Sequence, residues 1–373
     1  MATYTELSLT AQTAYSQLLD AALAAEHQRS VADLPGSFSY KIVKGRKYWY
    51  YQYTQPSGQL RQVFVGPDNE AVEKLRTKKT SASSKERLAP LARSAAALGC
   101  SEVLPRHAKV LQRLAEYGFF RAGGVLIGTH AFLAFGNMLG VRWGDASRTQ
   151  DVDFAHAGKS VSIALPGDLA IDTDAAIQSL QMGLLPVQDL KSGAGATCLN
   201  PRDPEFRLDF LTTMTSDDPA PVFHTKLGIA MRPLRFLEYS LEDVQQAVLF
   251  SGDIVVVVNV PNPARYALHK LLVVGERAGS FVSKSSKDLL QAGLLLTRLK
   301  EFRKSDVDEA WKDLITRGPG WRRRVKQGVA GLAKRFPELG VASWLRQTPV
   351  AKIPTKRKAR KTTTNLKNKK RTG

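Results

Sequence analysis

Cysteine is nearly absent: the 373-residue chain holds two, Cys100 and Cys198. Their separation excludes a CxxC metal site, and two residues make no disulfide framework. Long apolar runs are missing too. Ile254–Val258 is broken by Asn259, far short of the ~20 residues that a bilayer-spanning helix needs. No charged-then-apolar leader stands at the N-terminus. These absences predict a soluble protein of a reducing, cytoplasmic compartment, with no membrane partner. GxSxG, the serine-hydrolase elbow, is absent, and so is the P-loop pattern GxxxxGK[ST]. The histidines, His107, His130, His224 and His269 among them, show no metal spacing.

Acid is the other scarcity. Lys and Arg number 54 against 34 Asp and Glu, a formal charge of +20, and ten of the cations lie in the acid-free stretch from Ala351 to Gly373. A polybasic tail of this kind either gathers polyanions in a salt-dependent way or merely solvates the chain end. The remainder is basic as well, which favours an anionic partner without naming it. Hydrophobic residues make up 43%, enough for a real core.

Several segments follow from pattern. Residues 1–36 are expected to be an N-terminal helix, helical over 5–32 and stopped by Pro35-Gly36. Residues 37–67 are β-rich, with turns at Lys44-Gly45 and Pro56-Ser57-Gly58, and predict a three-stranded meander. There Lys41, Lys44, Arg46, Lys47 and Arg61 interleave with six aromatics between Tyr40 and Tyr53. That mixture suits stacking on nucleobases, and equally suits a small sheet covering one of its faces. A helical linker is expected over 68–99 with a polar break at 77–86. A central α/β unit spans 100–260, a helical region 261–345, and a disordered basic tail 346–373.

The chemistry concentrates in three places. "VLIGTH" reads as a buried strand, a glycine turn and a helix start; Gly128 permits close backbone approach, and Thr129 offers a cap or a hydroxyl. In "TQDVDFA", Asp151 and Asp153 alternate with apolar residues and so share one face of a strand. In "FRLDFLTT", Phe206, Leu208, Phe210 and Thr212 face one way, and Arg207, Asp209 and Leu211 the other. Carboxylates so close together need a positive partner. Three on neighbouring strands suit hard divalent cations such as Mg²⁺ or Mn²⁺, while the bland alternative for Asp209 is an ion pair with Arg207.

Together, hydrophobic-Gly-Thr, Asp-Val-Asp-Phe and a later strand Asp resemble the nucleotidyltransferase fold of the DNA polymerase β superfamily. The stretches "PNPARYALHKLLVVGER" and "KSSKDLLQAG" look like the helices that follow the sheet in AbiEii-type bacterial nucleotidyltransferases. The resemblance implies an α+β fold, a mixed sheet flanked by helices. It implies Asp151, Asp153 and Asp209 as catalytic metal ligands, with Asp209 also accepting the acceptor's proton. Gly128 and Thr129 would hold the NTP phosphates, and by position Lys270 and the pair Lys287-Asp288 would complete the pocket. Lys270 is otherwise a snorkelling surface lysine, and Asp288, three after Ser285, otherwise a capping-box residue. "NMLGVRWGDASR" lengthens the gap before Asp151, either presenting Arg142, Trp143 and Arg148 to a substrate or serving structure alone.

The implied function is metal-dependent transfer of NMP from an NTP to an acceptor. Surplus positive charge points to RNA, plausibly tRNA, as that acceptor. The AbiEii-type likeness brings with it a toxin-like role and an antitoxin-type protein partner. The alternatives are a non-catalytic nucleic-acid-binding protein that retains the fold, and a small-molecule nucleotidyltransferase.

Overall fold

Alternation of apolar and polar residues decides the strand at the centre of the molecule. In Asp203–Thr213, Phe206, Leu208, Phe210 and Thr212 are buried while the residues between them are half-buried. This strand pairs in parallel with Val152–His156 on one side and with Ile229–Leu234 on the other. Gly124–Ile127 closes one edge, antiparallel to Val152–His156, and Val222–His224 closes the other. Thr197–Asn200 runs antiparallel beside the first half of Asp203–Thr213, and Leu185–Pro186 beyond it. The result is a mixed seven-stranded sheet in an α/β protein. The computed structural model describes residues 4–27, 36–54, 58–80, 84–156, 171–189, 193, 195–214, 218–276 and 282–347.

Phe154 and Phe210 stack across the parallel pair at 5.2 Å, with Phe119 edge-on to both. That apolar face packs on helices Pro105–Glu116 and Gly128–Met138, while on the opposite face Val125, Ile127 and Ala155 pack with Leu237 and Leu241. The hairpin Val244–Ser251 and Ile254–Pro261 flanks this core. Asn259 Nδ2 donates to the carbonyls of Phe120 and Gly124 at 2.7 and 2.9 Å, pinning the hairpin to the turn before the edge strand. Helices Pro263–Glu276, Val282–Phe302, Lys304–Thr316, Pro319–Arg335 and Val341–Gln347 follow. Their apolar residues, from Leu268 to Leu345, belong to the same hydrophobic cluster as the sheet. Helices Pro263–Glu276 and Pro319–Arg335 touch backbone to backbone, since a Cβ on Gly328 would overlap the Leu271 carbonyl.

At the N-terminus the helix is Leu9–His27, shorter than the expected 5–32. Thr5–Glu6 instead pairs as a short strand with Val141–Arg142, and Ser8 caps the helix through its Oγ, 3.2 Å from the Ala11 amide. Residues 28–35 lie outside the described residues. Ala11, Ala14, Tyr15, Leu18 and Ala22 fall on one helical stripe and pack against Ala92, Ala95, Val248 and Phe250. The meander forms a separate sheet, Gly36–Val43, Arg46–Thr54 and Leu60–Pro67. Lys44 and Gly45 make its first turn with φ of 50° and 74°, the mirror-image turn that suits hairpin twist. Of the second turn, residues 55–57 lie outside the described residues. Helices Glu70–Thr80 and Ser84–Ala97 bracket a break narrower than 77–86. The basic tail from 348 onward also lies outside the described residues. No helix among those described is long and apolar enough to cross a membrane.

Candidate active site

Asp153 and Asp209 are register partners on adjacent parallel strands. Side chains on register partners share a face, so the carboxylates stand side by side. On its other flank Asp153 faces Ile127, whose successor is Gly128. Gly128 has φ of 63°, and a Cβ there would overlap Asp153 Oδ2 and lie 2.8 Å from Asp153 Cγ. The glycine is therefore required twice, by its left-handed backbone and by the carboxylate.

Asp151 sits just before its strand. Thr149 Oγ1 donates to its Oδ1 in a short bond. Burial pushes its carboxyl pKa upward, yet the Thr149 bond and the Arg207 and Lys287 charges hold it below the ordinary value. The positive partner of the acidic face is Arg207, whose Nη2 lies 3.5 Å from Asp151 Oδ2 and whose Nε lies 3.2 Å from Asp209 Oδ2. The Nε contact is an ion pair without hydrogen-bond alignment. Thr197 Oγ1 donates to Asp209 Oδ1 at 2.6 Å. The ion-pair alternative for Asp209 is thus realised.

Three oxygen-donor carboxylates on one face, two of them adjacent by register, have the donor chemistry of a Mg²⁺ or Mn²⁺ site. With Arg207 between Asp151 and Asp209, no three His, Cys, Asp or Glu side chains among the described residues close around one metal-sized point. The donor set is of the oxygen type that a divalent ion takes, and Arg207 occupies Asp151 and Asp209 in its place here.

Lys270 and Asp288 come together from helices Pro263–Glu276 and Val282–Phe302, Nζ to Oδ1 at 2.6 Å, both nearly buried. Burial opposes the charge on Lys270, but the Asp288 carboxylate and the Tyr266 hydroxyl hold its pKa above the usual lysine range. The snorkelling alternative fails because the ammonium is enclosed. The capping alternative for Asp288 fails because the helix starts at Val282 and Ser285 lies within it. The pair is net neutral, so Lys270 offers a cavity less free charge than its type suggests. Lys287 turns from the pair and donates to the Arg148 carbonyl at 2.8 Å.

Thr129 is 7% exposed, and no side chain caps the helix Gly128–Met138. The Thr129 hydroxyl instead meets Gln291 Nε2 at 3.4 Å. Gln291 is fully buried and also donates to the Ala146 carbonyl at 2.7 Å, and Tyr266 donates its hydroxyl to the Gly128 carbonyl at 2.7 Å. Tyr266 and Gln291 thus position the glycine turn from behind. Sequence reasoning missed both, since nothing in a helical Tyr or Gln announces a contact some 140 residues away. Trp143 also differs from its substrate-contact reading: it is buried, stacks on Phe132 at 4.7 Å and donates to the Phe132 carbonyl. Arg148 is exposed and pairs with Asp145 at 3.2 Å.

Gly128, Asp153, Asp209, Lys270 and Asp288 line one cavity of about 760 Å³, with Asp151 joined to its rim through Arg207. Thr129 does not line it. Arg232, Arg235 and Phe236 form the far wall, and Arg235 faces Glu276 at 3.8 Å. The volume is that of a small-molecule site. Apolar walls suit a flat ring and an uncapped helix start suits negative charge, whereas the paired carboxylates favour a cation.

Residues 105–316, more than half the chain, match the family model described as nucleotidyltransferase. The crystal structure of an antigenic nucleotidyltransferase-like protein from Paracoccidioides brasiliensis superposes with a TM-score of 0.34 at 14% identity, covering 66% of this chain and 95% of that one. No curated protein matches the sequence. With the matched span carrying the glycine turn, all three carboxylates and the Lys270–Asp288 pair, the chain belongs to this nucleotidyltransferase family.

Proposed function

We propose that the protein transfers a nucleoside monophosphate from an NTP to an RNA acceptor with the help of a divalent cation. The observation that carries this reading is the side-by-side placement of Asp153 and Asp209 over a cavity whose floor is Gly128. Asp151, Asp153 and Asp209 would hold Mg²⁺ or Mn²⁺. A divalent ion there polarises phosphoryl oxygens and makes an attacking oxygen more acidic.

The chain's own residues do the rest. Gly128, at the uncapped start of its helix, receives the β- and γ-phosphates, where backbone amides and the helix dipole favour negative charge. Thr129, braced by Gln291, keeps that turn in place. The Lys270–Asp288 pair and Tyr266 fix the wall behind it. Arg207 moves from the carboxylates toward the phosphates when these arrive. Asp209 accepts the acceptor hydroxyl's proton as that oxygen bonds to the α-phosphorus, and pyrophosphate leaves with the electrons of the broken α–β bond. Positioning and charge supply the catalysis.

The test is incubation of the full chain with labelled NTPs, Mg²⁺ and total RNA. Wild type labels RNA, and Asp153→Asn does not. Equal labelling by both would sink the assignment.

The Arg207 contacts favour a second reading, a nucleic-acid-binding protein whose carboxylates are structural. Calorimetry with Mg²⁺ and NTP separates the two, because only the enzyme reading expects metal-dependent nucleotide binding.

A further inference from the structure

The sheet formed by Gly36–Val43, Arg46–Thr54 and Leu60–Pro67 carries aromatics on both faces, and its fold needs only one set. Tyr51 and Tyr53 are buried among Phe38, Val63 and Val65, and Trp49 is buried edge-on to Phe38. Trp49 Nε1 donates to Asp68 at 2.7 Å, and the Arg76 guanidinium of helix Glu70–Thr80 lies 3.9 Å over its ring. That face is the module's own core.

The reverse face is different. Tyr48 and Tyr50 alternate with the buried set, Lys41 is the register partner of Tyr48, and Phe64 that of Tyr50. Phe64 is 56% exposed, and its ring lies 5.5 Å from Tyr50 and 6.2 Å from Tyr48. Lys41 Nζ stands 4.8 Å over the Tyr50 ring, and Lys41 and Arg46 are exposed. Phe64 is exposed and Tyr48 and Tyr50 beside it are half-buried, so part of this aromatic cluster stands open to a partner.

Charge selects the occupant. Residues 36–67 hold five Lys or Arg and no Asp or Glu. A polyanion that also presents flat π-faces answers both features, and single-stranded nucleic acid is that polymer. Duplexes hide their base faces. We infer that the open face of Tyr48, Tyr50 and Phe64 is a stacking platform for a single strand of the RNA acceptor, with Lys41 and Arg46 against its phosphates. The identity of the strand as RNA acceptor rests on the proposed function; the platform itself does not.

The experiment is fluorescence anisotropy with the full chain and a labelled single-stranded RNA of roughly twelve nucleotides, within the reach of small stacking surfaces, without NTP or metal. The abasic strand and the duplex are run in parallel. Tyr50→Ala and Phe64→Ala each weaken binding roughly tenfold, as loss of one stacked base does, while Tyr50→Phe binds like wild type. Lys41→Gln with Arg46→Gln lowers the salt slope by about 0.7 per cation removed. Circular dichroism and thermal melting report that the variants stay folded. Equal affinity for the abasic strand, preference for the duplex, no RNA binding, or indifference to both alanine variants would overturn the inference. RNA binding that depends on Tyr50 and Phe64 beside a failed transfer assay leaves the platform standing. Conversely, intact transfer with unaffected Tyr50 and Phe64 variants removes the platform alone.

Discussion

Gly128 and Asp153 occupy one another's space: the Asp153 carboxylate fills the volume that a Cβ on Gly128 would need. The strand-to-helix turn and the carboxylate are therefore one unit. Gly128→Ala meets both the left-handed backbone penalty of about 1–2 kcal/mol and displacement of Asp153. Nucleotide transfer should fall by roughly a hundredfold, as expected of a shift near 1 Å in a reacting group. Denaturant melts and labelled-NTP turnover measure the two effects separately. Full activity in the alanine variant would mean that Asp153 does not act from this position.

Arg207 competes with any cation for Asp151 and Asp209. Arg207→Gln should bind Mn²⁺ about tenfold more tightly in the absence of nucleotide, a gain of about 1.4 kcal/mol. Calorimetry on the two proteins measures it. Unchanged affinity would show that the ion pairs do not oppose metal.

The Lys270–Asp288 pair is buried on both sides. Asp288→Asn leaves an enclosed ammonium and should cost about 3–5 kcal/mol. Lys270→Met combined with Asp288→Leu should recover most of that loss. Urea unfolding of the single and double variants tests this, with nucleotide binding as a second readout that only the site role moves.

His130 Nε2 and His107 Nδ1 lie 2.9 Å apart in the core. Burial first, then Arg106 beside His107 and His107 beside His130, depresses them to about 4 for His107 and about 3 for His130. In this depressed state the folded form keeps them neutral, while the unfolded chain takes up protons near pH 6.5. Their contribution is whole above that pH and declines on acidification toward pH 4. Two protons give a slope of up to about 2.7 kcal/mol per pH unit. Stability measured from pH 7 to 5 should fall less steeply in a His107→Gln, His130→Gln variant than in wild type.

The carboxylate face was legible because strand alternation is a local signal. Asp153 and Asp209 fall at polar positions between buried neighbours, with Asp151 just ahead of its strand, and that pattern is visible in a few residues. The glycine turn of "VLIGTH" was legible for the same reason, since the glycine is a local necessity. Partners set by tertiary packing were not legible. Thr129 has a hydroxyl that sequence aims at a ligand or a cap, but Gln291 claims it from another helix. Trp143 reads as a loop aromatic until Phe132 is placed beneath it. Asp288 has the spacing of a cap, but its helix begins earlier, at Val282, and its carboxylate pairs with Lys270 from another helix. The N-terminal helix was overextended because Thr5 and Glu6 have no local reason to leave it; their partners are Arg142 and Val141.

Tyr15 has a consequence for how the chain is made. Its hydroxyl accepts from the Val248 amide and donates to the Val248 carbonyl, 233 positions downstream. Translation at ~5–20 residues per second leaves about 12–47 s between the two residues. For that interval the apolar stripe of Leu9–His27 has no hairpin to lie on. The newborn protein must shelter its first helix, on a chaperone or on Ala92 and Ala95, until the second half of the sheet protein has emerged.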